Sequence, residues 1–421
     1  MSDHAPEFKL IKAARLIDGS GDKPISHGAV LIKDAKIIAV GRARDLSLPE
    51  GANTQEFNYS GGTLLPGLVD CHVHLNGIGD GRAGDDLALL PDEVLTIQSA
   101  RNARDHLYSG VTTIRDCGAK NKTTFMLRQA VGLGITPAPR MVLAGRPIAI
   151  IGGHLSYFGE EVTGPLECRA AVRNLIKEGA DFIKVTATGG STRTSFPLSA
   201  SFTLEELTTI CDEAHNLGKH VAAHCTSTPG ILNALDACVD TIIHGYNRGP
   251  DGLISFDPVI AERLANNGIF VNPTLHQHIE RMRLLESKRE SESLSCEETL
   301  ELAEISATKR VKTEYFSKMR AAGVRLVCGS DSSWSSYTMG DFQSEIESHI
   351  DIGMSPMEAL VAATSDSAQS CWIDNEVGTI QVGKQADILV VNGNPSGHIS
   401  DLRNIATVLQ DGQIVDRSNN I

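Results

Sequence analysis

Short apolar, β-branched runs recur through the middle of this chain, and most of them end on small or polar residues. In order they read LVDCHVHL, VTTIRDCG, RMVLAG, FIKVTAT, HVAAHC, TIIHGY, IFVNPTL and RLVCGSD. Apolar runs of this length, bounded by Gly, Asp or Asn, are the pattern of strands buried on both faces. Between them lie helical stretches at Asp92–Ser109, Thr124–Leu133, Pro165–Glu178, Leu204–Leu217, Thr228–Cys238 and Pro258–Asn266. Eight such alternations predict an α/β fold, a (β/α)8 TIM barrel over residues 62–375.

The two ends have a different pattern. FKLIKAARLID, GAVLIKDAKIIAVG and TQEFNYSGGTLLPG alternate and break at Gly, Asp and Asn, and so do GTIQVGKQADILVVNG and ATVLQDGQIVD. Neither end alone holds enough strands to bury a core. Residues 1–61 and 376–421 are therefore expected to build one small β-sandwich together. One stretch breaks the barrel rhythm: His276–Met319 is long, helical and laced with charge. It exceeds an ordinary connection. It reads equally as a solvated helix pair and as a lid over the barrel mouth.

Composition narrows the class. The 421 residues are 41% hydrophobic, with 38 basic against 52 acidic side chains and a net charge of -14. A surface of that sign repels phosphate backbones and argues against nucleic-acid binding. Nine cysteines show no CxxC pair, which suits a reducing, cytoplasmic setting. The N-terminal stretch has no apolar leader pattern, and no run of about 18 apolar residues suggests a membrane span. The expected partners are a small-molecule amide and further copies of the chain in a homo-oligomer.

Chemistry concentrates at the strand ends, the face where barrel active sites sit. His72 and His74 are two apart on one strand, so both side chains point the same way and can share an ion. Lys184, His224, His244 and Asp331 end four other strands. Four imidazoles, a lysine and a carboxylate suggest a binuclear hydrolytic metal centre. Metal ions lower the pKa of bridging water and polarise a carbonyl, the two things amide hydrolysis needs. An ammonium would oppose the metals. Its reaction with carbon dioxide gives an anionic carbamate that bridges two cations, which suits a lysine inside an apolar strand. Asp331 fits a general base; Asp-Ser-Ser is also good helix-capping sequence. His154, behind Gly152–Gly153, fits a loop donor to the scissile carbonyl, or an incidental histidine. Arg193 is either a carboxylate clamp or a surface residue. His276 and His278 are candidate pocket liners.

The ordered set PGLVDCHVHL, IKVTATGG, AAHC, IIHG and GSD, with the terminal GTIQVGKQADILVV, resembles the amidohydrolase superfamily. Within it the chain is similar to the imidazolonepropionase-related group of prolidase-like zinc dipeptidases and ochratoxinase. The resemblance covers nearly the whole chain. It implies that His72, His74, a carboxylated Lys184 and Asp331 hold the more buried of two divalent metals, with zinc the expected ion. Lys184, His224 and His244 would hold the other, Asp331 would shuttle the proton, and His154 would meet the substrate carbonyl. The chain departs from the dipeptidase pattern on the substrate side. HCTSTP, with Cys225 and Thr226, replaces a HAYxP-type run, Ile243 precedes His244 where Glu is usual, and STRTSFPLSASFT replaces a DDP-like stretch.

The function expected from this set is hydrolysis of a small amide by metal-bridged hydroxide, with Asp331 as general base. Dipeptides, N-acyl amino acids and ochratoxin-like aryl amides are the substrate classes. Three alternatives stand beside it: a urea or carbamate hydrolase with the same centre, a mononuclear deaminase, and a non-catalytic scaffold. Deaminases on this fold usually carry a glutamate soon after the fifth-strand histidine, and none follows His224 here.

Overall fold

A computed structural model describes residues 8–49, 51 and 53–418. The first seven residues, on which part of the expectation about a leader rests, lie outside the described residues. All eight expected strands form. Leu68–Val73 pairs in parallel with Val111–Asp116, which pairs with Arg140–Leu143. A second parallel series runs Ile183–Thr186, Val221–Cys225, Thr241–His244, Phe270–Asn272 and Arg325–Leu326.

Hydrogen bonds connect the two series at both edges. Asp181 N–H donates to Leu143 O at 2.8 Å. At the other edge Cys71 N–H donates to Cys328 O at 3.2 Å, Asp331 N–H to His72 O at 2.8 Å and His74 N–H to Ser332 O at 2.6 Å. The result is a TIM-barrel-like parallel α/β arrangement. Strands such as Leu68–Val73 and Val221–Cys225 are buried along their whole length, because helices cover the outside and side chains fill the inside.

The helices follow the expected spans closely. Asp92–Tyr108, Thr123–Gly132, Gly164–Glu178, Leu204–Asn216, Thr228–Asp236 and Pro258–Asn266 all form. Their starts are chemically marked: Thr203 and Glu206 make a reciprocal capping box, and Asp257 accepts from Val259 and Ile260 N–H ahead of Pro258. Two short strands, Ile148–Ile150 and Glu160–Val162, pair in parallel and attach beside Ile183–Thr186. Neither was anticipated, because three-residue runs carry too little pattern.

The chain ends meet in a single eight-stranded sheet. Ile388–Asn392 pairs antiparallel with Thr54–Pro66, which pairs in parallel with Phe8–Leu16. Alternation gives this sheet two apolar faces. Ile11, Leu64, Ile388 and Val390 share one cluster, while Phe8, Leu10, Ala29 and Leu31 form another. The strand Thr54–Pro66 runs on across residue 61 toward the first barrel strand.

The long segment after Phe270–Asn272 folds as two helices, Ile279–Ser291 and Cys296–Ala321, bridged by Arg281–Glu301 and Lys288–Glu298. Most of its charges are solvated, as the alternation predicts, but Lys312 is buried. Toward the end of the second helix, however, Tyr315, Phe316 and Met319 are buried in the main core. Among the described residues, no helix is long and apolar enough to cross a membrane.

Candidate metal centre and its cavity

The strand ends bring the anticipated side chains around one cavity of about 500 Å³. His72, His74, His154, Lys184, His224, His244 and Asp331 all line it. His72 Nε2 and His74 Nε2 stand 3.3 Å apart, and each lies 3.4 Å from Asp331 Oδ1. These three ligand atoms can close on one ion. Across the cavity the His224 and His244 rings are 4.7 Å apart, and His244 is 5.7 Å from His72. Lys184 is 1% exposed.

Backbone and buried polar groups fix this convergence. Asp70, which the sequence did not single out, ties the first strand to the last. Its Oδ1 accepts from His72 N at 3.1 Å and Ser330 N at 3.0 Å. Its Oδ2 accepts from Ser330 Oγ at 2.5 Å and His106 Nε2 at 2.9 Å. His244 and Asp331 have φ of 66° and 56°. Left-handed backbone at non-glycine residues is held only where surrounding structure demands it, often at functional sites. The helix-cap alternative for Asp331 fails, because no helix begins there; the next one starts at Phe342.

The imidazole tautomers suit metal ligation. A carbonyl oxygen only accepts, so His74 Nδ1–H donates to Gly118 O at 3.1 Å and leaves Nε2 bare. Asn272 turns its Nδ2 to Val327 O and Gly329 O, so its Oδ1 accepts from His72 Nδ1–H at 3.0 Å, again leaving Nε2 bare. His224 Nε2–H donates to Gly189 O at 3.1 Å, which frees Nδ1 instead. His244 Nδ1 is 2.8 Å from Thr274 Oγ1. Such outer partners orient metal-binding histidines and set which nitrogen carries the lone pair.

Electrostatics point the same way. Burial pushes all five imidazoles down, His74 and His154 to about 3, with Lys184 pressing in the same direction. They are neutral lone-pair donors, the state a metal requires. Burial likewise pulls the Lys184 ammonium down, and Lys184 makes no hydrogen bond or ion pair among the described residues. Burial pushes the Asp331 carboxyl up to about 8 against the opposing pull of Lys184. The donor set therefore fits divalent cations: without them it is a cluster of buried groups lacking compensation.

His154 is poised as a donor. Thr192 Oγ1 accepts from Leu155 N at 2.9 Å, so its own hydrogen is available to His154 Nδ1 at 3.1 Å. When Nδ1 takes that hydrogen, Nε2 carries the ring proton; the ring packs 4.3 Å from His224.

Two anticipated substrate contacts are not in the cavity wall. The Arg193 side chain is 63% exposed and its Nη2 is held by both oxygens of Asp86 at 3.0 Å, outside the cavity lining. His276 is turned away: its N–H donates to Glu345 at 2.7 Å and its ring packs on Tyr337 at 4.9 Å. It stands near Glu280 and Asp341, but Arg403 and Ser344 already occupy the Asp341 carboxylate. Its neighbour Gln277 lines the cavity and donates from Nε2 to Asp331 Oδ2. His278 also lines it. The sequence missed Tyr246, Arg248, Lys312 and Trp334, which complete the wall. For the first two a signal was present, since they follow His244 at the same strand end.

Known proteins share this chain's family and fold. The amidohydrolase family model matches residues 63–415. Ochratoxinase of Aspergillus niger is 28% identical over 415 residues, covering 92% of this chain and 81% of that one. The crystal structure of a Xaa-Pro dipeptidase with bound methionine in the active site superposes with a TM-score of 0.81 at 28% identity, over 97% of this chain and 100% of that one. Phenylurea hydrolase B shares the fold, with a TM-score of 0.81 at 20% identity over 98% of this chain and 97% of that one. The chain belongs to the amidohydrolase family and is a hydrolase acting on carbon–nitrogen bonds.

Proposed function

We propose that this protein is a binuclear metal-dependent amidohydrolase that cleaves the amide bond of a small substrate, a dipeptide or an N-acyl amino acid. One observation carries the reading: His72 Nε2, His74 Nε2 and Asp331 Oδ1 converge within 3.4 Å, with Lys184, His224 and His244 lining the same cavity. His72, His74, Lys184 and Asp331 would hold one ion, and Lys184, His224 and His244 the other, with zinc the expected metal. The frame is a closed (β/α)8 barrel over 62–375, flanked by a small β domain in which both chain ends share one eight-stranded sheet. The hydrogen bonds at both edges of the parallel strands and the pairing of the chain ends support it.

The residues divide the work. The buried Lys184 amine, driven toward its neutral form, adds through Nζ to carbon dioxide and loses a proton, becoming an anionic carbamate. When bound, two divalent ions lower the pKa of water toward neutrality and polarise the scissile carbonyl. Gln277 and the two histidines orient the Asp331 carboxylate, which takes a proton from water and returns it to the leaving nitrogen. His154 Nε2–H donates to the carbonyl oxygen. Nine unpaired cysteines, seven of them buried, support a reducing cytoplasmic setting.

Metal analysis combined with a substrate screen tests this reading. About two ions per chain with turnover of dipeptides or N-acyl amino acids is the expected result. One ion per chain and no amide turnover would overturn it.

A further inference from the structure

The metal ligands account for one wall of the cavity. The cavity also carries two cations, Arg248 and Lys312, that no described residue engages in an ion pair. Lys312 is 6% exposed and makes no hydrogen bond or ion pair among the described residues; its Nζ lies 4.4 Å from the centre of the Tyr246 ring. Arg248 Cζ lies 5.9 Å from the same ring, and its Nε is buried without a partner. Its guanidinium makes no ion pair among the described residues. By contrast Arg82, at the same mouth, is held by Asp80 at 2.8 Å, and Arg193 by Asp86 at 3.0 Å.

Packing holds Lys312 in place. Tyr315, one helical turn beyond Lys312, donates its hydroxyl to Gly245 O at 2.9 Å, pinning the long helix to the strand end that bears His244. Residues three apart share a helix face, so Lys312 is delivered to the cavity by the same contact. The Tyr246 ring stands 5.9 Å from the His244 ring, so the cations begin one aromatic ring beyond a proposed metal ligand. A desolvated cation without a counter-ion is unfavourable. A planar carboxylate satisfies a guanidinium through two parallel hydrogen bonds and an ammonium through one.

We propose that Arg248 and Lys312 form an anion subsite that holds the carboxylate of the substrate's amine portion. The inference rests on the amide-hydrolase reading and narrows it: the substrates are amides carrying a free carboxylate, not neutral ureas or carbamates.

Binding and turnover separate the two readings. The binding probe is 3-benzoylpropanoate, a ketone in which CH2 replaces the amide NH, against neutral butyrophenone, both measured by calorimetry on the metal-loaded full chain. The acid should bind about 10-fold or more tightly than the ketone without a carboxylate. Lys312→Met keeps the aliphatic stem and Arg248→Gln keeps a planar head; each should remove most of that preference and leave butyrophenone affinity unchanged. Equal affinities, or a preference that survives both substitutions, would overturn the subsite. In parallel, N-benzoylglycine is compared with N-ethylbenzamide for turnover, and KM for the acid should rise in both variants more than kcat falls. Hydrolysis of both compounds at equal kcat/KM would sink the subsite and leave the hydrolase standing. If neither is cleaved and no other amide is, the hydrolase reading fails, and the calorimetry still decides the subsite.

Discussion

The cavity has two walls built on different principles. One is made of strand ends: His72, His74, Lys184, His224, His244 and Asp331 project from a parallel sheet, each buried and most tied to a neighbour by hydrogen bonds. The other is made of loops and a long helix: Gln277, His278, Thr308 and Lys312 come from the segment after the seventh strand. In the proposed reading the first wall holds metal and the second holds substrate. A sheet fixes spacing to a fraction of an ångström, which ligation needs, whereas helices and loops are replaceable without disturbing the barrel.

The largest effects should come from the strand-end wall. Asp331→Asn removes the proposed base while keeping the shape, so kcat should fall by about 10³-fold with an unchanged circular-dichroism spectrum and melting curve. Near-normal turnover would remove Asp331 from the mechanism. Lys184→Ala should drop bound metal to roughly half or less of the wild-type stoichiometry, and added formate or acetate should restore part of the activity. Unchanged stoichiometry would end the bridging carbamate. Asn272→Leu leaves His72 in place but strips the partner of its Nδ1. Metal affinity, followed by titration with a chelator, should weaken by about 10- to 100-fold.

The difference between the walls also explains what the sequence disclosed. The strand-end ligands were legible because two-residue periodicity and a run of β-branched residues fix where a side chain points. All eight strands and six helices could be placed on that basis. Lys312 was not legible, because it sits within a charge-laced helix whose composition reads as solvated. Only the later stripe Tyr315, Phe316 and Met319 hints that this end turns inward. Asp70 was hidden for a different reason. Its four hydrogen-bond donors come from residues as distant in the chain as Ser330, and pairing of that kind leaves no local pattern. His276 was misread because loop direction after a strand is set by tertiary contacts, here Glu345 and Tyr337.

Arg193 supplies the smallest effect and the sharpest control on the comparison. It occupies the loop that replaces the family's usual stretch after the lysine strand, and by charge alone it rivals Lys312 as an anion anchor. Its surroundings decide otherwise. Asp86 already engages the guanidinium through both oxygens, and the pair is well exposed to solvent, where such bridges contribute little. Arg193→Ala should therefore change stability by no more than about 0.5 kcal/mol and leave KM for a carboxylate-bearing amide within error of wild type. Steady-state kinetics on Arg193→Ala beside Lys312→Met make the contrast direct. A rise in KM in the first and none in the second would move substrate recognition from the helical wall to the loop at the mouth.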